Sequence, residues 1–350
     1  MINKYKTKNL MLKIIFILLL VVCFLLIVFF CFVGLKNISF FDGIKILFSD
    51  IPFIGNFFDI SGIDKVKLII IKEIRLPRII LGIVVGAGLA ISGASLQSLF
   101  KNPLVEPYIT GISSGATLGA TIAIIIGSKL TFLGMGGIVI FAFIGSIFTS
   151  LLLLNFGGFS RKQSSSVFLL IGISISLFFS SIVSLLMILN RNKIENIILW
   201  IMGSLSNASW NKVYIATPFI IIGFVGLFLL SKSLNVISLD EDVAKSTGIN
   251  VTKSKYLILI FTSLVTSVSV ATTGIIGFIG LIIPHIVRLL FGYDNRIILP
   301  FSAVIGSIFL ICSDMIAKSL VYPSEIPIGV ITSFIGTPIF LYLITRINRD

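Results

Sequence analysis

Charged residues are scarce in this chain of 350 residues. Asp, Glu, Lys and Arg together make up 12% of the sequence, whereas 57% of the residues are hydrophobic. Soluble globular domains carry about twice that charged fraction. The composition excludes a water-soluble globular protein and indicates a chain that crosses a membrane several times.

Histidine and cysteine are also nearly absent, with one His and three Cys. Cys23, Cys31 and Cys312 all lie in apolar runs, where a thiol acts as a small hydrophobic side chain and not as part of a disulfide framework. His285 has no second His, Cys or acid at ligand spacing, which argues against a metal ligand or a proton relay. We therefore predict no metal site. The lack of a clustered His, Asp or Glu constellation also argues against a membrane enzyme.

A nucleotide-binding loop is missing as well. No Gly-x-x-x-x-Gly-Lys-Ser/Thr sequence occurs in the chain. If ATP drives this protein, a separate subunit must hydrolyse it, and ATP and Mg²⁺ then belong to that subunit. We expect no cofactor in this chain.

Long apolar segments, in contrast, recur along the whole length. Each is about 20 residues long, which is enough for a helix to cross a bilayer, and the runs lack the alternation of membrane barrel strands. We predict an all-α membrane protein with a single domain over residues 1–350. About ten transmembrane helices are predicted at residues 14–35, 76–100, 108–127, 132–154, 166–189, 212–231, 256–273, 276–291, 299–319 and 327–345. The amphipathic segment 194–205 predicts a short interfacial helix after the fifth span.

The N-terminal residues 1–13 contain four lysines, and the first apolar run follows them. This run is too long for a signal peptide and no small-x-small cleavage site follows it, so an uncleaved helix is favoured over a secretory signal. Lysines next to a span mark the cytoplasmic side of the membrane. The pattern therefore predicts that both termini are cytoplasmic and that residues 36–75 are extracytoplasmic.

The segment 238–252, predicted to be cytoplasmic, has the pattern of a short capped helix. Acidic residues fill its first turn, and Gly248 can end it. A solvated connector is the simpler interpretation of such a polar loop. Val243 and Ala244, however, give the helix an apolar patch with no predicted core beneath it, and an exposed apolar patch indicates a partner protein.

Two arginines, Arg75 and Arg78, flank Pro77 at the predicted outer end of the second span. Their three-residue spacing places them on one helix face, so we predict that both point outward together. They would then meet either acidic groups of a partner or lipid headgroups. In the ninth span, Asp314 lies one turn from Lys318, which favours a local ion pair over a proton-coupling role.

The eighth span is interrupted by glycines and by Pro284. Broken helices are tolerated where protein or a water-filled cavity shields their backbone, so we predict that this span lies inside the bundle. Small residues along the second span predict close helix packing. Ser165 and Ser166 open the fifth span and, as a bare sequence feature, indicate a helix N-cap.

These features together resemble the permease subunits of the ABC importers for ferric siderophores, haem and vitamin B12. The similarity extends from about residue 75 to the C terminus. Its landmarks stand in the order found in that family: Arg75-Leu76-Pro77-Arg78, Ser92-Gly93-Ala94-x-Leu96-Gln97, Asn102-Pro103-Leu104, Gly111-Ile112-Ser113-Ser114-Gly115-Ala116, Trp200-x-x-Gly203-Ser204, Gly280-Leu281-Ile282-Ile283-Pro284-His285 and Glu325-Ile326-Pro327-Ile328-Gly329.

The resemblance implies ten helices per subunit and a homodimer or pseudo-dimer around a central pathway. It also implies three functional regions. A coupling helix would contact a cytoplasmic ATP-binding subunit through Asp240, Glu241, Val243, Ala244, Thr247 and Gly248. Basic groups at Arg75, Arg78 and Lys318 would meet acidic residues of an extracytoplasmic substrate-binding lipoprotein, although Lys318 replaces an arginine of the vitamin B12 relative. Ser165 and Ser166 would form a cytoplasmic gate.

The cargo stays open at this point, because permeases for siderophores, haem and cobalamin share these motifs. Ferric siderophore is favoured by its frequency in the family. An ion-coupled secondary transporter is the alternative class, and it would require buried charge in the spans, where Asp314 is the one candidate. The expected location is the cell membrane, in contact with lipid and not with nucleic acid.

Overall fold

The computed structural model describes residues 2–32, 43–46, 49, 63–128, 130–132, 135–157, 165–321 and 324–347. These residues form a helical bundle with one short antiparallel pair of strands, β1 (Thr131–Phe132) and β2 (Met135–Gly136). The predicted all-α class is confirmed.

Fourteen helices are numbered here in chain order over the described residues, and residues 43–46 form a further helical turn. They are α1 (Ile2–Phe32), α2 (Lys65–Ile69), α3 (Leu76–Phe100), α4 (Ile112–Ile126), α5 (Gly137–Phe156), α6 (Ser165–Leu189), α7 (Ile194–Ile201), α8 (Trp210–Leu229), α9 (Ser231–Leu239), α10 (Glu241–Ser246), α11 (Val251–Thr273), α12 (Ile279–Phe291), α13 (Asn295–Ser319) and α14 (Ile328–Ile347). A π-helical segment, Ile70–Arg75, joins α2 to α3, and 3₁₀ turns form at Pro107–Thr110 and Arg191–Lys193.

Seven helical segments of the described residues are long and apolar enough to cross a membrane. They cover Leu10–Phe32, Lys65–Phe100, Gly137–Phe156, Val167–Leu189, Trp210–Leu229, Val251–Thr273 and Asn295–Ser319. Two further apolar helices are shorter, at Ile112–Ile126 and Ile279–Phe291, and α14 is apolar over Ile328–Leu343. The ten segments follow the order of the ten predicted spans. The two shorter helices do not meet the length that a membrane crossing requires by this measure, so ten crossings stays a prediction. A helix, α7, lies where the interfacial helix was expected, and its place at an interface also stays a prediction.

Some predicted spans begin later than expected, for local backbone reasons. Helix α4 starts at Ile112 because Gly111, at φ +84°, separates it from the preceding 3₁₀ turn. The strands β1 and β2 occupy the start of the fourth predicted span. Before α12, the chain is extended from Gly274, and Phe278 adopts a left-handed φ of +69°.

Helix α3 lies at the centre of the bundle, with nearly all of its residues from Pro77 to Phe100 buried. Its glycines permit close contact with neighbouring helices, as the small residues of this span predict. A Cβ added at Gly86 would lie 2.5 Å from the carbonyl oxygen of Gly306 in α13. The two ends of α3 are roughly 35 Å apart by helix rise, and each end carries one of the polar regions considered next.

Candidate functional site

The C-terminal end of α3 meets the predicted coupling segment, and we call this region the loop end; it comprises Lys101, residues 235–248 and Asp294. Helix α10 begins here because Asp240 caps it. The Asp240 carboxylate accepts hydrogen bonds from the backbone N–H groups of Asp242 at 2.7 Å and Val243 at 3.2 Å. These two bonds hold the pKa of the exposed Asp240 carboxyl below its usual range. The predicted acidic cap is therefore present.

The C-terminal boundary of α10 also agrees with the sequence. Gly248, at φ +83°, adopts the left-handed conformation that ends a helix. The Thr247 hydroxyl donates to the carbonyl oxygen of Ala244 at 2.8 Å. Glu241 pairs with Lys255 of α11 at 2.6 Å, which fixes the first turn of α10 to the bundle.

The sequence predicted an exposed apolar patch on α10 at Val243 and Ala244, and this prediction is wrong for Ala244. Ala244 is 0% exposed and belongs to the main hydrophobic core, because α10 packs this face against the bundle. Val243 is 48% exposed. Leu239, at the end of α9, is also exposed. The apolar surface of the loop end therefore consists of Leu239 and Val243.

Side-chain amides anchor the loop end to the bundle. Asn235 in α9 donates to Asp294 at 2.7 Å and accepts two hydrogen bonds at 2.8 Å, from the backbone and side-chain nitrogens of Asn295. Asn295 in turn accepts from the Ser98 hydroxyl in α3 at 2.8 Å. Bonds from Arg296 and from Asn235 lower the pKa of the Asp294 carboxyl to about 2. The position of the loop is thus fixed relative to α3 and α13.

The landmark sequences of the second and eighth spans form a single contact between α3 and α12. Gln97 donates through Nε2 to the carbonyl oxygens of Gly280 at 3.1 Å and Leu281 at 3.0 Å. Arg288 donates to the Gln97 side-chain oxygen and to the carbonyl oxygen of Ala94, the latter at 2.8 Å. The broken span therefore lies against the central helix, inside the bundle as predicted.

An ion-pair cluster occupies the other end of α3, which we call the arginine end; Arg78 and Asp314 are its buried members, Lys318 is half-buried and Glu325 is exposed. The Arg78 guanidinium, in a residue that is 7% exposed, donates to Asp314 at 2.8–3.1 Å and to Glu325 at 2.9 Å. Lys318 Nζ lies 3.2 Å from Asp314, which confirms the predicted local pair. Two cations and two carboxylates balance in charge and tie α3 and α13 to the segment before α14.

The prediction that Arg75 and Arg78 point outward together is wrong. Arg78 turns inward and pairs with the buried carboxylate of Asp314, which requires a cation. Arg75 instead donates to the carbonyl oxygen of Cys31 in α1 at 3.0 Å. Arg75 also ends the π-helical segment, whose wider turn alters the angle expected from an α-helix. The three-residue spacing therefore does not give a shared exposed face here.

Glu106, for which the sequence suggested no role of its own, lies beside the break that precedes α12. Its carboxylate accepts a hydrogen bond from the backbone N–H of Phe278 at 3.2 Å. It also lines an open cavity of about 830 Å³, whose wall is mostly apolar and includes exposed residues of α14 such as Val330 and Phe334. The cavity opens to the surface of this single chain.

Two further sequence predictions concern the serines of the gate and His285. Helix α6 begins at Ser165, but the side chains of Ser165 and Ser166 lie outside the described residues, so the gate is untested. His285 is buried, and among the described residues its Nε2 atom has no hydrogen-bond partner.

Several polar residues of these regions were missed at the sequence level. Glu325 could have been suspected, since it is an acid two residues before Pro327, the start of the last predicted span. Asn235 and Asn295 give no local signal, because they lie 60 residues apart and each is an ordinary polar residue near a helix end.

Comparison with known proteins assigns a family to this arrangement. The FecCD transport family matches residues 18–346. The chain is 37% identical over 283 residues to the cobalamin import system permease protein BtuC of Halobacterium salinarum, covering 81% of this chain and 75% of that protein. It is 35% identical over 314 residues to the Fe(3+)-citrate import system permease protein YfmD of Bacillus subtilis, covering 89% of this chain and 88% of that protein.

A solved structure agrees with the fold. It is described as a metal-chelate type ABC transporter in an inward-facing conformation, and it matches with a TM-score of 0.81 and 32% sequence identity. The match covers 95% of this chain and 99% of that chain. The helical architecture described above is thus similar to that of an ABC transporter permease.

Proposed function

Because the chain belongs to the FecCD transport family of ABC importer permeases, we propose that it forms the membrane pathway for a ferric siderophore in an importer driven by a separate ATP-hydrolysing subunit. The observation that carries this proposal is the rigid, acid-capped helix α10 with an apolar surface at Leu239 and Val243. An exposed apolar surface on an anchored element favours a partner protein. The partner we propose is the ATP-binding subunit, which supplies the site for ATP and Mg²⁺.

Each predicted coupling residue then has a role in that contact. Val243 inserts into the partner, whereas Ala244 holds α10 on the core. Asp240 and Gly248 fix the two ends of the helix, and Thr247 bonds its last turn. Glu241 ties the helix to α11, so that movement of the ATP-binding subunit is transmitted to the bundle.

The arginine end is the proposed docking region for an extracytoplasmic substrate-binding lipoprotein. Arg75 and Lys318 are partly exposed there, and their charge would attract acidic groups. Arg78 orders this surface through its bonds to Asp314 and Glu325. Docking through Arg78 itself would require exchange of one of these two carboxylates.

A second permease copy or a close paralogue is proposed to cover the exposed apolar face of α14. Phe334 and Leu341 on this face are exposed in the single chain, and they line the cavity of about 830 Å³. The pathway would lie between the two copies, with Ser165 and Ser166 at its cytoplasmic gate. ATP binding would rock the two halves about this axis, and the cargo would pass without tight binding.

The proposed location is the cell membrane, with both termini in the cytoplasm. The loop end, which contacts the ATP-binding subunit, would then lie on the cytoplasmic side. Residues 36–75 and the arginine end would lie outside. This orientation rests on the N-terminal lysines and on the positive-inside rule.

The cargo is the least constrained part of the proposal, since relatives are named for cobalamin and for Fe(3+)-citrate. Haem and cobalamin are the alternative cargoes for the same machinery. An ion-coupled transporter is disfavoured, because Asp314 is already bound by Arg78 and Lys318.

Uptake by the complete importer tests this proposal. The chain is purified with its ATP-binding subunit and its binding lipoprotein, reconstituted in vesicles, and supplied with a ferric siderophore, haem or cobalamin. We expect ATP-dependent uptake of the siderophore, abolished when the nucleotide-binding lysine of the ATP-binding subunit is replaced. Uptake of haem or cobalamin alone would contradict the cargo, and uptake driven by an ion gradient without ATP would contradict the mechanism.

A further inference from the structure

A second cavity, of about 870 Å³, lies toward the arginine end and has no role in the functions proposed so far. It is lined by helix ends and by connecting segments at this end, including Ser128, Asn196, Ser204, Asn207 and Glu325. Glu325 also belongs to the ion-pair cluster, which places the cavity at the end of the bundle opposite to the coupling loop.

Lys212, in the first turn of α8, supplies a positive charge to this cavity. Its Nζ atom donates to the carbonyl oxygen of Thr272 at 3.1 Å. Among the residues that the structure describes, no carboxylate forms an ion pair with Lys212. The neighbouring helix end accepts one hydrogen bond from the ammonium but carries no full negative charge.

The acid that shares this cavity is already committed elsewhere. Both carboxylate oxygens of Glu325 accept hydrogen bonds from Arg78 at 2.9 Å. The charges of Arg78 and Lys318 are in turn balanced by Asp314 and Glu325. Lys212 is therefore the charge in the cavity wall that the described residues leave uncompensated.

The rest of the wall suits an anionic oxygen ligand. Asn196 and Asn207 offer side-chain amide donors, and Ser204 and Ser206 offer hydroxyls that are hydrogen-bonded to each other at 2.8 Å. Trp200 adds an apolar surface for the body of a ligand. A cation surrounded by neutral donors favours carboxylate over a cationic or a purely apolar group.

We propose that this cavity receives a carboxylate group of an incoming metal chelate and that Lys212 selects for its negative charge. The proposal rests on the importer function given above, and it specifies that the cargo carries a negatively charged group. A lipid phosphate could present similar chemistry, so the test must separate a dissolved chelate from a membrane lipid.

The electrostatic character of the cavity can be measured without transport. Asn207→Cys, in a background with Cys23, Cys31 and Cys312 replaced by Ala, places a thiol in the cavity wall. The probes are an anionic and a cationic methanethiosulfonate reagent, applied to protein in phosphatidylcholine nanodiscs. A unit charge within about 8 Å in a partly screened site changes the local concentration of a charged probe severalfold. We expect the ratio of the anionic to the cationic labelling rate to fall about threefold or more in Lys212→Gln. The ratio should be unchanged in Lys212→Arg, which keeps the positive charge.

Ferric citrate is the ligand probe in the same assay. It should slow labelling of Asn207→Cys when Lys212 is present and should have no such effect in Lys212→Gln. Val243→Cys at the loop end is the matched control, whose labelling should be insensitive to both changes, and unchanged size-exclusion profiles and unfolding temperatures show that the variants are folded. The proposal is overturned if the labelling ratio does not depend on Lys212, if ferric citrate gives no protection, or if phosphatidylglycerol in the nanodisc protects and ferric citrate does not.

This experiment requires no ATP-binding subunit. A negative result would therefore remove the carboxylate site and leave the importer function standing. Conversely, failure of the uptake experiment would not alter the labelling ratios.

Discussion

At the scale of single residues, Arg78 shows how a buried charge is held. Its guanidinium makes bonds to Asp314 and Glu325 from a site that is nearly inaccessible to solvent. A buried ion pair contributes little net stability compared with apolar packing, but removal of one partner leaves an uncompensated charge. Replacement of Arg78 should therefore destabilise the protein, whether or not Arg78 also contributes to docking.

Arg78→Ala should lower the stability of the purified protein by about 3–5 kcal/mol, the usual penalty for breaking a buried pair. Thermal unfolding in detergent measures the change. Arg75→Ala is the matched control and should cost less, because Arg75 is partly exposed and its guanidinium donates to the backbone carbonyl of Cys31. Equal losses in the two variants would show that the cluster does not stabilise the arginine end.

Local spacing predicted part of this cluster and could not predict the rest. Asp314 and Lys318 are four residues apart on one helix, so their pairing follows from helix geometry. Arg78 and Asp314 are 236 residues apart in sequence, and their contact depends on how α3 packs on α13. The exposed fraction of Ala244 was mispredicted for the same reason, since burial of α10 is decided by tertiary packing.

At the scale of helices, the hydropathy of the chain predicted most elements and the order in which they occur. The bounds were less accurate where the backbone departs from a helix, as at Gly111 and Phe278. The interrupted eighth span marked α12 as unusual, whereas nothing in the sequence distinguished the short helix α4 from the longer spans. Their apolar character is similar, and their length is set by flanking turns and by contacts with other helices.

The contact between α3 and α12 depends on Gly93. A Cβ at this position would lie 1.9 Å from the carbonyl oxygen of Gly280, which is far closer than atoms can approach. Gly93→Ala should therefore separate the helices and destabilise the protein by about 1–3 kcal/mol, the usual cost of overpacking. Thermal unfolding again provides the measurement.

Gly277→Ala is the matched control for this substitution, since no atom lies within 4 Å of its added Cβ. It should leave the unfolding temperature nearly unchanged. If Gly93→Ala were equally neutral, the close contact between α3 and α12 would not exist in the protein.

At the scale of the whole molecule, the two polar ends lie on opposite ends of the central helix α3. The chain carries a net charge of +13, and the lysines before the first span favour a cytoplasmic N terminus. In the proposed orientation, these features place the loop end on the cytoplasmic side and the arginine end outside. The coupling loop should face the ATP-binding subunit, and the arginine end should face the binding lipoprotein.

The orientation can be tested with an impermeant maleimide in intact cells that produce the chain without its ATP-binding subunit, so that Val243 is not covered. Asn207→Cys and Val243→Cys lie at opposite ends, and both positions are exposed. We expect Asn207→Cys to react from outside the cell and Val243→Cys to react after permeabilisation. The reverse pattern would invert the proposed topology and place the coupling loop on the wrong side of the membrane.

A test of the proposed contact between Val243 and the ATP-binding subunit bears most directly on the central claim. Val243→Cys, in a background with Cys23, Cys31 and Cys312 replaced by Ala, is labelled at its thiol with a short maleimide–diazirine reagent before the ATP-binding subunit is added, and the assembled importer is then irradiated. The account predicts a covalent product with the ATP-binding subunit, and no such product from Leu320→Cys, which is exposed near the arginine end. A complex that copurifies and hydrolyses ATP, yet gives no product at Val243→Cys or gives an equal amount at Leu320→Cys, would contradict it.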